Sequence, residues 1–236
     1  MKNKLKNIYM PIALFILLLL GMAYFQYIPA KILKINLSTI NTTAKIIYSI
    51  ICDMIFMLLV YLLYRKTINK NFKDFFTNFK DNIEISLKYY FIGLAIMVIS
   101  NLIITIFFST ASANNEEAVR TLIGKYPLYM IFSVSIYAPF IEEIIFRKSI
   151  KDMITSYKNN SLTKYLYILT SGLIFASLHV VGMADKAIDY IYIIPYLSLG
   201  ISFAALYYKT NNIFHTICIH SLHNTIAVLL LFTMGV

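Results

Sequence analysis

The apolar residues of the chain form seven long blocks, separated by shorter polar segments. A helix that crosses a bilayer needs about 20 mostly apolar residues, which is close to the length of each block. The blocks lie near residues 8–28, 45–64, 88–109, 127–147, 164–183, 189–208 and 213–235. Backbone groups in lipid must form hydrogen bonds within their own segment. The pattern therefore predicts an all-α fold, a polytopic transmembrane helical bundle of about seven spans.

The basic residues between the blocks predict how the bundle lies in the membrane. If the N-terminus is cytoplasmic, 15 of the 21 lysines and arginines lie in or beside cytoplasmic segments, and six lie on the other side. Cytoplasmic loops of membrane proteins carry the excess of basic residues. The expected orientation is therefore N-in and C-out.

The composition supports a membrane protein and argues against a nucleic-acid partner. Of the 236 residues, 59% are hydrophobic and only 14% are charged, whereas about 25% are charged in soluble domains. A net charge of +10 would suggest nucleic acid in a soluble protein, but here the charges lie in short loops. The expected partner is the lipid bilayer. Since no linker divides the chain, residues 1–236 are expected to form a single membrane domain.

Three polar features outside the main clusters each have more than one interpretation. Residues 65–88 form a basic cytoplasmic loop with four phenylalanines, which fits either a helix on the membrane surface or a loop with buried aromatic rings. Asp53 lies within the second apolar block. It is either a functional residue or a buried, hydrogen-bonded residue that helps helices pack, and the second interpretation is favoured. His215 is expected at the cytoplasmic interface.

The fourth block contains adjacent carboxylates, Glu142 and Glu143, followed by Arg147. Ionisable residues are costly in a bilayer and usually functional there. Glu143 and Arg147 are four residues apart, which is the favourable spacing for an ion pair on a helix. Glu142 is rotated by about 100° from Glu143. It is therefore free to face another helix, where a carboxylate among apolar groups is suited to act as a general base.

Two later blocks carry histidines at helical spacing. Phe175 and His179 are four residues apart and share a face, as do His220 and Asn224. His223 lies close to the second of these faces. Each cluster alone is a weak signal, because a lone histidine on an apolar helix is more often a packed core residue. Together with the glutamates, they supply a base, two imidazoles and an amide for an oxyanion.

These clusters resemble the three signature motifs of the CAAX protease and bacteriocin-processing family, which is also called the Abi family and is related to the Ras-converting CAAX endopeptidases. The motifs are Glu142-Glu143-x-x-x-Arg147, Phe175-x-x-x-His179 and His220-x-x-x-Asn224. The resemblance covers residues 127–236, the expected catalytic core, with the motifs in the family's order.

The resemblance implies an intramembrane endopeptidase in which each motif has a role. Glu142 would activate the attacking water together with His179. His220 and Asn224 would stabilise the oxyanion, and Glu143, Arg147 and Phe175 would support the site. The family is described both as metal-dependent and as metal-free. If zinc were bound, Glu142, His179 and His220 would be its ligands. No His-Glu-x-x-His motif is present, and no metal or other cofactor is favoured.

One expectation conflicts with a simple arrangement of spans. Glu142 lies about 7 Å along its helix from Arg147, whereas His179 lies about 22 Å from Lys164. If Arg147 and Lys164 both mark the cytoplasmic surface, the two catalytic candidates differ in depth. A tilted helix, a helix broken at Pro139, or a fifth span that begins outside the lipid would bring them together.

The resulting hypothesis is an endopeptidase of the bacterial cytoplasmic membrane that hydrolyses a peptide bond with glutamate-activated water. The expected substrate is a peptide or protein at the membrane, such as a bacteriocin leader or a signalling-peptide precursor. The alternative is a non-enzymatic bacteriocin-immunity or regulatory membrane partner. A transporter is disfavoured, because the sequence has no inverted repeat.

Overall fold

The computed structural model describes residues 2–108, 113–156 and 160–233. Within these ranges every element of secondary structure is a helix, which confirms the all-α prediction. The elements are α1 (Lys2–Tyr24), α2 (Tyr27–Ile32), α3 (Thr42–Thr77), α4 (Phe79–Phe108), α5 (Asn114–Lys125), α6 (Pro127–Thr155), α7 (Ser161–Val180), α8 (Ala187–Thr210) and α9 (Ile213–Thr233).

Six of the described helices are long and apolar enough to cross a membrane, namely α3, α4, α6, α7, α8 and α9. Helix α1 contributes the shorter apolar segment Tyr9–Tyr24. The first predicted span, 8–28, is shortened because the chain turns after Tyr24 and continues as the separate helix α2. The described residues thus form six helices of spanning length and one shorter apolar helix, and the N-in/C-out orientation remains a prediction.

Residues 65–88, for which both a surface helix and a loop were open, are helical apart from the turn at Asn78. Helix α3 runs for 36 residues to Thr77, and α4 begins at Phe79, so the two helices form a hairpin that turns at Asn78. Phe75 is fully buried in this hairpin, with its ring centroid 5.0 Å from that of His215. The other three phenylalanines of the segment remain exposed. The segment is therefore a helical extension with one anchored ring, rather than a loop.

Helix α6 contains two π-helical segments, Ser133–Tyr137 and Glu143–Ser149, on either side of an α-helical turn that includes Pro139. Proline has no N–H to donate, and a helix that contains it must adjust its hydrogen bonds locally. Here the helix widens but remains continuous, so the expected break at Pro139 does not occur. Such π-helical segments are rare and are often found at functional sites.

Close packing of α7 on α8 depends on two glycines. A Cβ atom added to Gly172 would lie 2.8 Å from Cγ1 of Ile201 and 3.0 Å from its backbone nitrogen. One added to Gly200 would lie 3.0 Å from Cα of Gly172. Small residues let transmembrane helices approach each other in this way. The contact fixes the position of α7, which carries His179.

The turn between α8 and α9 is tied to α3 by two buried hydrogen bonds. Nδ2 of Asn212 donates to the carbonyl of Asn71 at 2.8 Å, and the backbone N–H of Ile213 donates to Oδ1 of Asn71 at 3.0 Å. Asn211 ends α8 in the left-handed conformation, with φ of 51°, which asparagine tolerates better than most residues. These contacts fix the start of α9, the helix that carries His220.

Candidate active site

The foundation of the site is a fully buried ion pair within α6. Oε2 of Glu143 lies 3.0 Å from Nε of Arg147, and both side chains have no exposed surface. The predicted i,i+4 ion pair is therefore confirmed. Nη1 of Arg147 also donates to Oγ of Ser171 on α7 at 3.0 Å, and the guanidinium carbon lies 4.8 Å from the ring centroid of Phe175. A buried charge needs such partners, and these partners link α6 to α7.

His220 is held by the other oxygen of Glu143. Its Nδ1 lies 2.9 Å from Oε1 of Glu143. Since a carboxylate only accepts hydrogen bonds, Nδ1 carries the proton and donates it. The imidazole packs between Phe175 and Phe203, with ring centroids 5.8 and 5.6 Å away. This arrangement directs Nε2 towards the neighbouring residue, Glu142.

His179 reaches the same point from α7. Its Nδ1 donates to the backbone carbonyl of Phe175 at 2.8 Å, which leaves Nε2 as the acceptor in the neutral imidazole. The ring is stacked on Tyr196 of α8, with centroids 4.9 Å apart and an interplanar angle of 28°. The phenol of Tyr196 in turn accepts a hydrogen bond from Nδ2 of Asn115 at 3.2 Å. The orientation of His179 is therefore fixed on both sides.

Glu142 lies between the two imidazoles. Its Oε2 is 3.9 Å from Nε2 of His179 and 3.9 Å from Nε2 of His220. This oxygen is buried and has no hydrogen-bond partner among the described residues, although 16% of the side chain is exposed. Atoms 3.9 Å apart are too distant for a direct hydrogen bond, but one water molecule can reach both of them. One carboxylate oxygen and two imidazole nitrogens, from three helices, thus converge on one small volume.

Asn224 lies one turn beyond His220 on α9. Its Nδ2 donates to the carbonyl of Val134, in the first π-helical segment of α6, at 2.8 Å. A side-chain amide has two N–H groups, so a second donor remains.

The other histidines of α9 face elsewhere. Nδ1 of His223 lies 3.3 Å from the hydroxyl of Tyr90. His215 is buried near the start of α9, with Nδ1 2.8 Å from Oγ of Ser86, and its place at the cytoplasmic interface stays a prediction.

The predicted difference in depth between Glu142 and His179 rested on a wrong assumption about Arg147. This residue is fully buried and paired with Glu143, so its charge does not require it to lie at the membrane surface. Helix α6 continues past it to Thr155, which adds about 12 Å at 1.5 Å per residue. The longer helix allows Glu142 to lie at the level of His179 although α6 is not broken at Pro139.

The alternative zinc ligands Glu142, His179 and His220 are the side chains that converge. However, within the described ranges no three His, Cys, Asp or Glu side chains are arranged so that they could hold a metal ion. No step of the reaction is assigned to zinc here.

Two residues around the site were missed by the sequence analysis. Ser171 precedes Phe175 and His179 at intervals of four residues, so it shares their helix face and could have been found from that spacing. Tyr196 gave no signal, because its contact with His179 depends on how α8 packs against α7. The sequence alone does not specify that packing.

Asp53 belongs to a separate polar cluster. It is 2% exposed and accepts hydrogen bonds from Nε2 of Gln26 at 3.1 Å and from the hydroxyl of Tyr129 at 3.2 Å. These bonds connect the turn between α1 and α2 to α3 and α6. The arrangement agrees with the favoured interpretation, in which Asp53 helps helices pack.

Comparison with known proteins identifies the family of the chain. Residues 124–226, which include all three motifs, match the family model of type II CAAX prenyl endopeptidase Rce1-like proteins. The chain is similar to the membrane-embedded CAAX protease MroQ of Staphylococcus aureus (strain USA300), with 31% identity over 135 residues, 56% of this chain and 51% of the relative. It is also similar to the putative membrane peptidase YdiL of Bacillus subtilis (strain 168), with 30% identity over 199 residues, 79% of this chain and 70% of the relative.

The chain therefore spans about half the length of the staphylococcal relative and more of the Bacillus relative. No solved structure matches it significantly. The apolar helices and the bacterial relatives indicate a multi-pass protein of the bacterial cell membrane. Taken with the three motifs on α6, α7 and α9, these similarities show that the chain belongs to the CAAX protease family of intramembrane proteases.

Proposed function

We propose that the chain is an intramembrane endopeptidase in which Glu142 acts as the general base. The observation that carries this proposal is the convergence of Oε2 of Glu142 with Nε2 of both His179 and His220, each 3.9 Å away. A general base must lie within reach of the proton that it removes, either directly or through one water. A water that donates to Oε2 of Glu142 and to Nε2 of His179 would meet that requirement, and Nε2 of His220 lies beside it.

In the first step, the carboxylate of Glu142 removes a proton from this water while the water oxygen attacks the carbonyl carbon of the peptide. His179 accepts a hydrogen bond from the same water through Nε2, because its Nδ1 proton is engaged by Phe175. The water is thereby oriented before it reacts, which lowers the entropy cost of attack. Tyr196 positions the His179 ring.

The attack creates a negative charge on the former carbonyl oxygen. In its protonated form, His220 donates from Nε2 to this oxyanion, and Glu143 stabilises the positive charge on its ring through the 2.9 Å contact with Nδ1. Asn224 supplies a further donor through the N–H that does not bond Val134. Donors that are already oriented in a water-poor site stabilise such a charge strongly.

In the last step, the proton held by Glu142 passes to the amide nitrogen as the carbon–nitrogen bond breaks. The products are a new carboxyl terminus and a new amino terminus, and Glu142 returns to its ionised form. Water is the only co-reactant. The buried pair of Glu143 and Arg147 does not touch the reacting atoms in this scheme, and it serves to hold His220 and α7 in place.

The substrate is proposed to be a peptide or protein that enters from the membrane. A bacteriocin leader and a signalling-peptide precursor are both compatible with a site between helices. The name of the staphylococcal relative describes a membrane-embedded CAAX protease, which supports peptide hydrolysis but does not identify a substrate for this chain.

The test is cleavage of a panel of fluorescence-quenched peptides by the purified full chain in detergent. We expect hydrolysis to continue in the presence of a strong metal chelator, because the reaction is assigned to protein side chains. Product termini are identified by mass spectrometry.

Loss of hydrolysis with the chelator and recovery with added zinc would overturn the metal-free scheme and make Glu142, His179 and His220 metal ligands. A non-enzymatic immunity or regulatory role would replace the proposal if Glu142→Gln kept the full biological activity of the chain in cells.

A further inference from the structure

A second polar cavity lies at the end of the bundle that contains the α3–α4 hairpin. It has a volume of about 740 Å³ and is enclosed by the C-terminal parts of α3, α6 and α8. The first α6 residue on its wall is Lys148, six residues beyond Glu142. The proposed hydrolytic mechanism makes no use of this cavity.

The cavity is strongly basic. Among the residues that the structure describes, its wall includes four lysines, Lys66, Lys70, Lys148 and Lys151, and one carboxylate, that of Asp152. The two lysines of α3 face two of α6, so positive charge surrounds the cavity from both sides. Asp152 neutralises only one of these charges, because it forms an ion pair with Lys148.

The lysines differ in how they are held. Nζ of Lys151 donates to Oδ1 of Asn211 at 2.9 Å and lies 4.7 Å from the ring centroid of Tyr207. By contrast, Lys66 and Lys70 are exposed and have no ion-pair or hydrogen-bond partner within the described part of the chain. Two ammonium groups are therefore available to a ligand, and a third is already oriented by the wall.

The wall itself is rigid where α3 meets the α8–α9 turn. The hydrogen bonds from Asn212 and Ile213 to Asn71 join these elements below the cavity, and Asn71 is buried and forms part of its lining. The stretch of α3 backbone that carries Lys66 and Lys70 is thus fixed beside the α8–α9 turn before any ligand arrives. Preorganisation of this kind lowers the cost of binding.

We propose that this cavity binds the phosphate group of an anionic ligand. Lysine binds phosphate as a point charge, and basic pockets between transmembrane helices on the cytoplasmic side commonly hold anionic lipid headgroups. A phospholipid headgroup and a soluble phosphate present the same group to the lysines. The proposal is independent of the hydrolytic function.

The test compares three forms of the purified full chain by native mass spectrometry: the wild type, Lys66→Gln/Lys70→Gln, and the control Lys73→Gln/Lys80→Gln. The control removes two exposed charges from the same hairpin but does not alter the cavity wall. Each form is incubated with phosphatidylglycerol, with the zwitterionic lipid phosphatidylcholine, and with inorganic phosphate as a competitor. Melting temperatures verify that all three forms are folded.

We expect the wild type and the control to retain phosphatidylglycerol in preference to phosphatidylcholine, and the cavity variant to bind it roughly tenfold more weakly. If millimolar phosphate does not displace the retained phosphatidylglycerol, the ligand of the cavity is a lipid headgroup. A soluble ligand is assigned if phosphate displaces the lipid and also binds directly to the wild type and the control but not to the cavity variant. Equal binding by the two variants, or no binding of either probe by the wild type, would overturn the proposal.

Discussion

Replacing Glu142 with glutamine is expected to lower kcat for peptide hydrolysis by about 10²- to 10⁴-fold, the contribution typical of a general base. Glutamine preserves the shape of the side chain but cannot take a proton from water. The two imidazoles 3.9 Å away remain in place, so the site should keep its structure and lose only the base. The measurement is single-turnover cleavage of the best peptide of the panel.

The matched control for this change is Glu84→Gln. Glu84 is an exposed glutamate of α4, and the same substitution there should leave kcat unchanged. Equal melting temperatures for the two variants would show that the loss at Glu142 is chemical. Full hydrolytic activity in Glu142→Gln would exclude it as the base.

Replacing Arg147 with methionine is expected to destabilise the fold by about 3–5 kcal/mol, because the buried carboxylate of Glu143 would lose its counter-ion. Both side chains of this pair are fully buried. The chain also contains an exposed Glu–Arg pair at the same spacing, Glu116 and Arg120, with 52% and 38% of the side chains exposed. Arg120→Met should therefore cost only about 0–1 kcal/mol. Equilibrium unfolding in mixed detergent micelles measures the free energy of unfolding of both variants.

A double variant separates loss of the charge balance from loss of packing. Glu143→Gln combined with Arg147→Met removes both charges, while the glutamine oxygen can still accept the hydrogen bond from His220. We expect the double variant to be more stable than Arg147→Met alone, because no unpaired charge stays buried. If the double variant is as unstable as Arg147→Met, the main contribution of Arg147 to stability would be its packing on Phe175.

Short-range features of the site could be predicted from the sequence because helix geometry determines them. The spacing of Glu143 and Arg147 predicted their ion pair, and the spacing of Phe175 and His179 predicted neighbouring rings, which lie 4.3 Å apart. Such i,i+4 contacts need no knowledge of how helices pack. The all-α bundle followed in the same way from the length of the apolar blocks.

Features that depend on packing could not be predicted. Hydropathy placed the end of the fourth span at residue 147, but α6 continues to Thr155, because Arg147 is paired and buried and does not end the helix. The π-helical segments around Pro139 arise from hydrogen-bond adjustments that sequence patterns do not encode. The position of Asn224 against the first of these segments was unpredictable for the same reason.

The most direct test of the account is a double-mutant cycle between Glu142 and His179, which lie on different helices and act on the same water in the proposed reaction. Single-turnover cleavage rates are measured for the wild type, Glu142→Gln, His179→Ala and the combined variant. Residues that act as a unit give strongly non-additive losses. We predict that each single variant is severely impaired and that the combined variant is no slower than the slower of the two. Full activity in either single variant, or losses that multiply in the combined variant, would contradict a shared hydrolytic site.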